Sequence, residues 1–123
     1  MERKETFGLA LLPLKVDLSK YGLDMCFKQY ERIMLLKAWA SPSSKFSSRE
    51  LYDYVSEKIG KFNKTISRAS VIFAADRFVE AGIWGEEDRT GKGGHHSLYF
   101  AANTEAEFWE RVRVTSQTRL GIQ

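Results

Sequence analysis

From Thr65 to Tyr99 the chain commits to one local order: a helix, a strand, a glycine-rich turn and a second strand. Ser67 to Ala81 reads as a helix, with Ser67 as its N-cap and Gly82 as its stop. The apolar step Ile83-Trp84 opens an extended segment. The run Arg89-Thr90-Gly91-Lys92-Gly93-Gly94 turns the chain, and His96-Ser97-Leu98-Tyr99-Phe100 returns it as a strand. The helix turns Val71, Ala75, Phe78 and Val79 inward. Ala74 and Ala75 are small enough to let a crossing helix come close, and Ile83 completes the core from the first strand. A fold is then reached only if earlier elements cover that inward face.

Those elements are legible upstream. Phe27 to Trp39 reads as a first helix with Tyr30, Ile33, Met34 and Lys37 on one face and Leu36 close to it. Ser41-Pro42 ends this helix, because proline disfavours helix in the residue before it. Ser43-Ser44-Lys45-Phe46 reads as a loop. Ser47 with Glu50 three residues on matches a capping box, opening a second helix whose stripe is Leu51, Tyr54, Val55 and Ile59. Gly60 closes it, and Lys61 to Ile66 joins it to the third helix. Downstream, Thr104 and Glu107 form another capping box, followed by the stripe Phe108, Trp109 and Val112. Thr115 to Gln123 shows little pattern and is expected to fray. At the other end, Leu12 to Leu18 alternates like a strand or extended arm, and Pro13 confines any such strand to a sheet edge. The arm packs on its own body or crosses to a second subunit.

A chain of 123 residues, 43% hydrophobic and 28% charged, suits one globular domain able to bury a core unaided. The formal net charge of +3 leans mildly toward polyanionic partners. Cys26 is the single cysteine, so no internal disulfide forms, which suits a reducing compartment. No secretory signal is visible, and Leu9-Ala10-Leu11-Leu12 is too short to span a bilayer. The expectation is a cytoplasmic protein without a membrane partner.

The pattern Ser67-Arg68-Ala69-Ser70-Val71, ending in Val79-Glu80-Ala81-Gly82-Ile83 and followed by the glycine-rich turn, resembles the winged helix-turn-helix regulators. Among these it looks most like the penicillinase-repressor-like and MarR-like proteins, including archaeal relatives with a Gly-Lys-Gly-Gly wing. The resemblance runs roughly from Tyr30 to Phe100. It implies an α+β, mostly α fold: a three-helix core, a two-stranded β wing, an extra C-terminal helix and an N-terminal arm. The corresponding division is 1–24 for the arm, 25–102 for the DNA-binding domain and 103–123 for the C-terminal helix. It further implies a homodimer on a palindromic operator, with the recognition helix 67–81 in the major groove and the wing 84–100 on backbone or minor groove. Phe108, Trp109 and Val112, with Cys26-Phe27 and the arm, would make the dimer contact. The stripe could equally pack on its own domain.

The residues support this reading on their own terms. Lys58, Lys61, Lys64 and Arg68 fall in a segment free of acidic residues, and a duplex binder needs clustered cations. Lys61 and Lys64 are candidates for phosphate contacts, with Thr65, Ser67, Ser70 and the third helix's amides as uncharged donors. After the core face is assigned, Arg68, Ala69, Ile72, Phe73, Asp76 and Arg77 remain. Arg68 can pair with guanine, and Ala69 or Ile72 can meet thymine methyls. Phe73 is expected to pack against another element, and Asp76 and Arg77 could form a surface pair instead of reading bases. At the turn, Arg89, Lys92 and His95 are further DNA candidates, because glycines let the backbone approach closely. Glu86-Glu87-Asp88 counts against docking the whole wing: these carboxylates must face away or pair with a lysine.

Other chemistries fare worse. Gly91-Lys92-Gly93-Gly94 lacks the spacing of a P-loop and precedes a strand, not a helix. His95 and His96 are adjacent and point to opposite sides of a strand, so no metal is expected. No nucleophile or zinc-protease signature is present, so neither catalysis nor a cofactor is expected. The competing reading is a winged helix that docks another protein. Exposed Phe73 and the acidic 86–88 run favour it, and an unbroken positive face through Lys61, Lys64, Arg68 and Lys92 opposes it.

Overall fold

The structure is a computed structural model and describes residues 15–91 and 94–121, with the side chains of 89–91 and 94–96 outside that set. In chain order it contains a 3-10 turn Gly22–Met25, α1 Gln29–Ala40, β1 Phe46–Ser47, α2 Ser48–Gly60, α3 Arg68–Glu80, β2 Trp84–Gly91, β3 Gly94–Ala101 and α4 Glu105–Leu120. The fold is α+β and mostly helical. The sheet has three antiparallel strands in the order β1-β3-β2, not the two expected. The third is β1, where Phe46 pairs with Tyr99 and Ser47 with Leu98. Two residues carry no readable alternation, so the sequence pattern showed a loop there.

Caps fix the helix ends. Ser47 Oγ accepts from the Glu50 N–H at 3.1 Å while Glu50 returns a bond to the Ser47 N–H at 2.8 Å. Thr104 and Glu107 do the same for α4. Gly82, at φ +75°, closes α3. The Ile83 N–H reaches the Phe78 carbonyl and the Gly82 N–H that of Val79, a Schellman motif that turns the chain into β2. The same device ends α2, but its left-handed residue is Asn63 at φ 57°, not Gly60. Asparagine tolerates this conformation better than most residues with a Cβ.

The core collects Leu51, Val55 and Ile59 from α2, and Val71, Ala74, Ala75 and Phe78 from α3. From α1 it takes Glu31, Met34, Leu35 and Ala38. That face is rotated from the expected one: Tyr30 and Ile33 are half-buried and Leu36 is exposed. Lys37 instead lays its ammonium over the Tyr54 ring, 4.0 Å from the centroid, and over Phe46 at 4.9 Å. A ladder of rings crosses the molecule: Phe108 meets Phe27 and Trp39, Phe27 meets Phe78, Phe78 meets Trp84, and Trp84 meets Tyr99. Gly85 lies opposite Phe100, whose ring occupies the space a Cβ at Gly85 would need.

Helix α4 runs on through Thr115, which is buried, to Leu120, so the expected fraying does not begin at Thr115. Lys15 to Leu18 form no strand and are exposed. Met1 to Leu14, the rest of the expected arm, lie outside the described residues. Among those described, no helix is long and apolar enough to cross a membrane.

Candidate nucleic-acid interface

The candidate surface is built from the loop 61–67 upward. Asn63 sends Lys61 and Phe62 outward, and Phe62 is left 60% exposed. The chain then enters α3 at Ser67, whose Oγ accepts from the Ser70 N–H at 3.1 Å. The first turn of α3 carries no carboxylate, whereas α1, α2 and α4 each carry at least one there. The positive end of this helix dipole is therefore left open to an external anion.

Cations approach this end from two sides. On the α2 side, an Arg68 guanidinium nitrogen donates to Ser48 Oγ at 3.3 Å. Arg49 and Ile72 join them around an open cleft of about 510 Å³ bounded by Ser97 and Tyr99 of β3. On the α1 side, Lys64 Nζ donates to Gln29 Oε1 at 3.0 Å. A second cleft, of about 360 Å³, sets Lys64, Thr65 and Ser67 beside Lys28. Lys28, Ser48 and Arg49 were not singled out in the sequence. They lie on other elements, and only the packing of α1 and α2 brings them to the start of α3.

The outward face of α3 holds Ala69, Phe73 and Asp76, all exposed, with Ile72 half-buried. Phe73 does not pack on another element as expected: it is 62% exposed. Ser70 spends its hydroxyl on Ser67 Oγ, 2.9 Å away. Arg77, expected to face DNA, is turned to Glu31 of α1 and forms an ion pair with it. Glu31 is only 7% exposed and also caps α1 through the Lys28 N–H. Partial burial works against the Arg77 charge, but hydrogen bonds with Glu31 and Tyr30 outweigh it and hold the guanidinium above its ordinary pKa. Arg77 ties two helices together, and Asp76 and Arg77 do not pair.

The C-terminal half of α3 meets a different surface. Tyr99 donates its hydroxyl to Asp76 Oδ1 at 3.1 Å. Burial first, and then the carboxylates of Asp76 and Glu86, raise the Tyr99 phenol well above its ordinary pKa, which makes it a fixed donor. Ser97 donates to Glu86 and lies 3.5 Å from Asp88 Oδ1, so both carboxylates share the sheet face that carries Tyr99. Glu87 points to the opposite face and pairs with Lys45. Of the two arrangements expected for the acidic run, facing away or pairing with a lysine, the pairing holds for Glu87. Lys92 and the side chains of Arg89 and His95 lie outside the described residues. Among the described residues no group of His, Cys, Asp or Glu is arranged to hold a metal ion.

The expected dimer stripe divides. Phe108 is 1% exposed within the single chain and Phe27 is also buried, so neither has surface left for a partner. Phe108 fills the chain's own core because the ring ladder needs it between Phe27 and Trp39. Trp109 and Val112 are half-buried on the rim.

No protein-family model matches the chain, and no curated protein matches it. A solved structure of a possible transcriptional regulator from Methanosarcina mazei Go1 overlaps it with a TM-score of 0.58, at 13% identity, over 77% of this chain and 74% of that one. This likeness establishes a shared fold. The crystal structure of the Vibrio cholerae ferric uptake regulator overlaps at a TM-score of 0.41 and 17% identity, over 79% of this chain and 82% of that one, too loosely to fix an arrangement.

Proposed function

We propose that the chain is a winged helix-turn-helix transcriptional regulator that binds double-stranded DNA with α3 in the major groove. One observation carries this reading: Lys28 and Lys64 on one side and Arg68 on the other, with Arg49 beside it paired to Asp53, border a helix start that has no carboxylate of its own. Phosphates on either side of a groove fit that arrangement, and the exposed face between them is left to the bases. Arg68 reads guanine or holds a phosphate, Lys61 and Lys64 take phosphates, and the hairpin 84–100 lies along the backbone or minor groove. The regulator acts as a homodimer on an inverted repeat, with Trp109 and Val112 at the contact.

Selection of bound sequences from random duplex DNA tests the reading. Enrichment of an inverted repeat is the expected result, and recovery without any shared motif overturns it. A second reading, a module that docks a protein, is favoured by Glu86 and Asp88 lying on the α3 side of the sheet. Under it, duplex binding is weak, independent of sequence, and lost at physiological salt.

A further inference from the structure

Phe73 has no structural account inside this chain. It sits at the outer centre of α3, 62% exposed, while Val71 and Phe78 of the same helix are buried and Ile72 and Val79 half-buried. None of the ring contacts among the described residues includes it. Ala69, one turn before it, is small and exposed, and Ile72 beside it is half-buried. The three make an apolar strip on a helix whose start is flanked by Lys64 and Arg68. Those flanking cations favour a polyanion as the occupant over another apolar surface.

In the major groove the edges of three bases present only donors and acceptors; thymine adds a C5-methyl group. A phenyl ring can meet that methyl without desolvating a polar atom. Set over guanine or cytosine, the same ring leaves a donor or acceptor unpaired. The residue therefore attracts one base and rejects others, and specificity needs both. We infer that Phe73 is a specificity-determining residue that reads a thymine methyl in each half-site, with Ala69 giving the base room to approach. This rests on the DNA-binding reading and adds to it the base that is read.

The test uses the full chain and the duplex recovered by selection, with each thymine replaced in turn by deoxyuridine, which lacks only the methyl. At one position per half-site the affinity falls about fourfold, the factor equivalent to about 0.8 kcal/mol for one buried carbon. Phe73→Ala binds the thymine duplex as weakly as the wild type binds the uracil one, and is indifferent to the replacement. Phe73→Leu keeps part of the sensitivity. An unchanged denaturation midpoint checks that both variants fold. Wild-type binding that ignores uracil everywhere overturns the assignment to Phe73 while leaving the regulator reading intact, and so does a uracil effect that survives in Phe73→Ala. Failure to bind any duplex with sequence preference overturns the reading beneath it instead.

Discussion

The two halves of α3 stand in opposite electrostatic surroundings. Its N-terminal half looks out between Arg68 and Arg49 on one side and Lys64 and Lys28 on the other. Its C-terminal half looks out beside Asp76, Glu86 and Asp88, gathered around Tyr99 and Ser97. A helix of this length spans about 20 Å at 1.5 Å per residue. That is about two and a half screening lengths at physiological salt, but the two surroundings meet across the cleft that Arg49 and Arg68 share with Ser97 and Tyr99. The small net charge of +3 hides this division. Under the proposed DNA reading the contrast favours end-on docking: phosphates at the start of α3, base edges along its middle, and the hairpin on backbone only away from Glu86 and Asp88.

The strongest way to break the comparison is to empty the basic end. Replacing Lys61, Lys64 and Arg68 together by alanine should lower duplex affinity roughly a hundredfold, and the slope of log K against log salt should fall by about 0.9 per lost contact. Taken singly, the residues should part company. Lys64→Ala weakens cognate and random duplex alike, and Arg68→Ala flattens the preference between them, a loss of about 1–3 kcal/mol on the cognate site. Titrations at two salt concentrations read both effects. If the triple variant keeps the wild-type slope, the phosphates lie elsewhere and α3 is not the docking element.

The acidic end sharpens the comparison from the other side. Glu86→Gln with Asp88→Asn removes two negative charges from the α3 face of the sheet and leaves the Glu87 pair with Lys45 in place. If no phosphate approaches this end, duplex affinity rises by less than about fivefold, in keeping with exposed, screened charges worth at most about 1 kcal/mol. A rise well beyond tenfold means that phosphates crowd the hairpin, and the end-on geometry is then wrong. Under the protein-docking reading, the same variant loses a partner instead.

Much of the scaffold could be read in advance because it is written in local chemistry. Ser47 with Glu50, Ser67, Gly82, and Thr104 with Glu107 each act within a few residues of themselves, and each cap forms where the spacing puts it. The face of α1 is hard to read because its buried stripe contains a carboxylate, Glu31, which besides capping its own helix pairs with Arg77, 46 positions along the chain. Lys37 falls on the expected face by helical spacing alone, and its ammonium lies over the rings of Phe46 and Tyr54 on other elements. The same limit shaped the candidate site. Lys64 and Arg68 stood out through their sequence neighbours, but Lys28 and Arg49 reach the site only by packing. Phe73, left over from the core face, is expected on size to pack against another element, and only the direction of the helix face leaves it exposed.

The smallest effect tests the seam between the halves. Asp76 stands one turn beyond Ile72 on the outward face of α3, and the Tyr99 hydroxyl holds it toward the hairpin. Tyr99→Phe keeps the ring against Trp84 and removes only the donor. The expected loss is about 1 kcal/mol of stability, seen as a lower denaturant midpoint at unchanged slope. The pH dependence has a definite sign. The folded protein holds the Tyr99 proton more tightly than the unfolded chain, whose tyrosines titrate near pH 10. The stabilisation is therefore complete below about pH 10 and lost as the pH rises through the higher folded-state value. The gap between wild type and Tyr99→Phe should stay constant from neutral pH to about 10 and close above it. On DNA under the proposed reading, the freed Asp76 carboxylate swings toward the groove, so affinity drops by less than about fivefold, since a single exposed charge is worth at most about 1 kcal/mol. Equal midpoints for the two proteins at every pH would show that Tyr99 holds nothing. The division along α3 would then rest on Glu86 and Asp88 without Asp76.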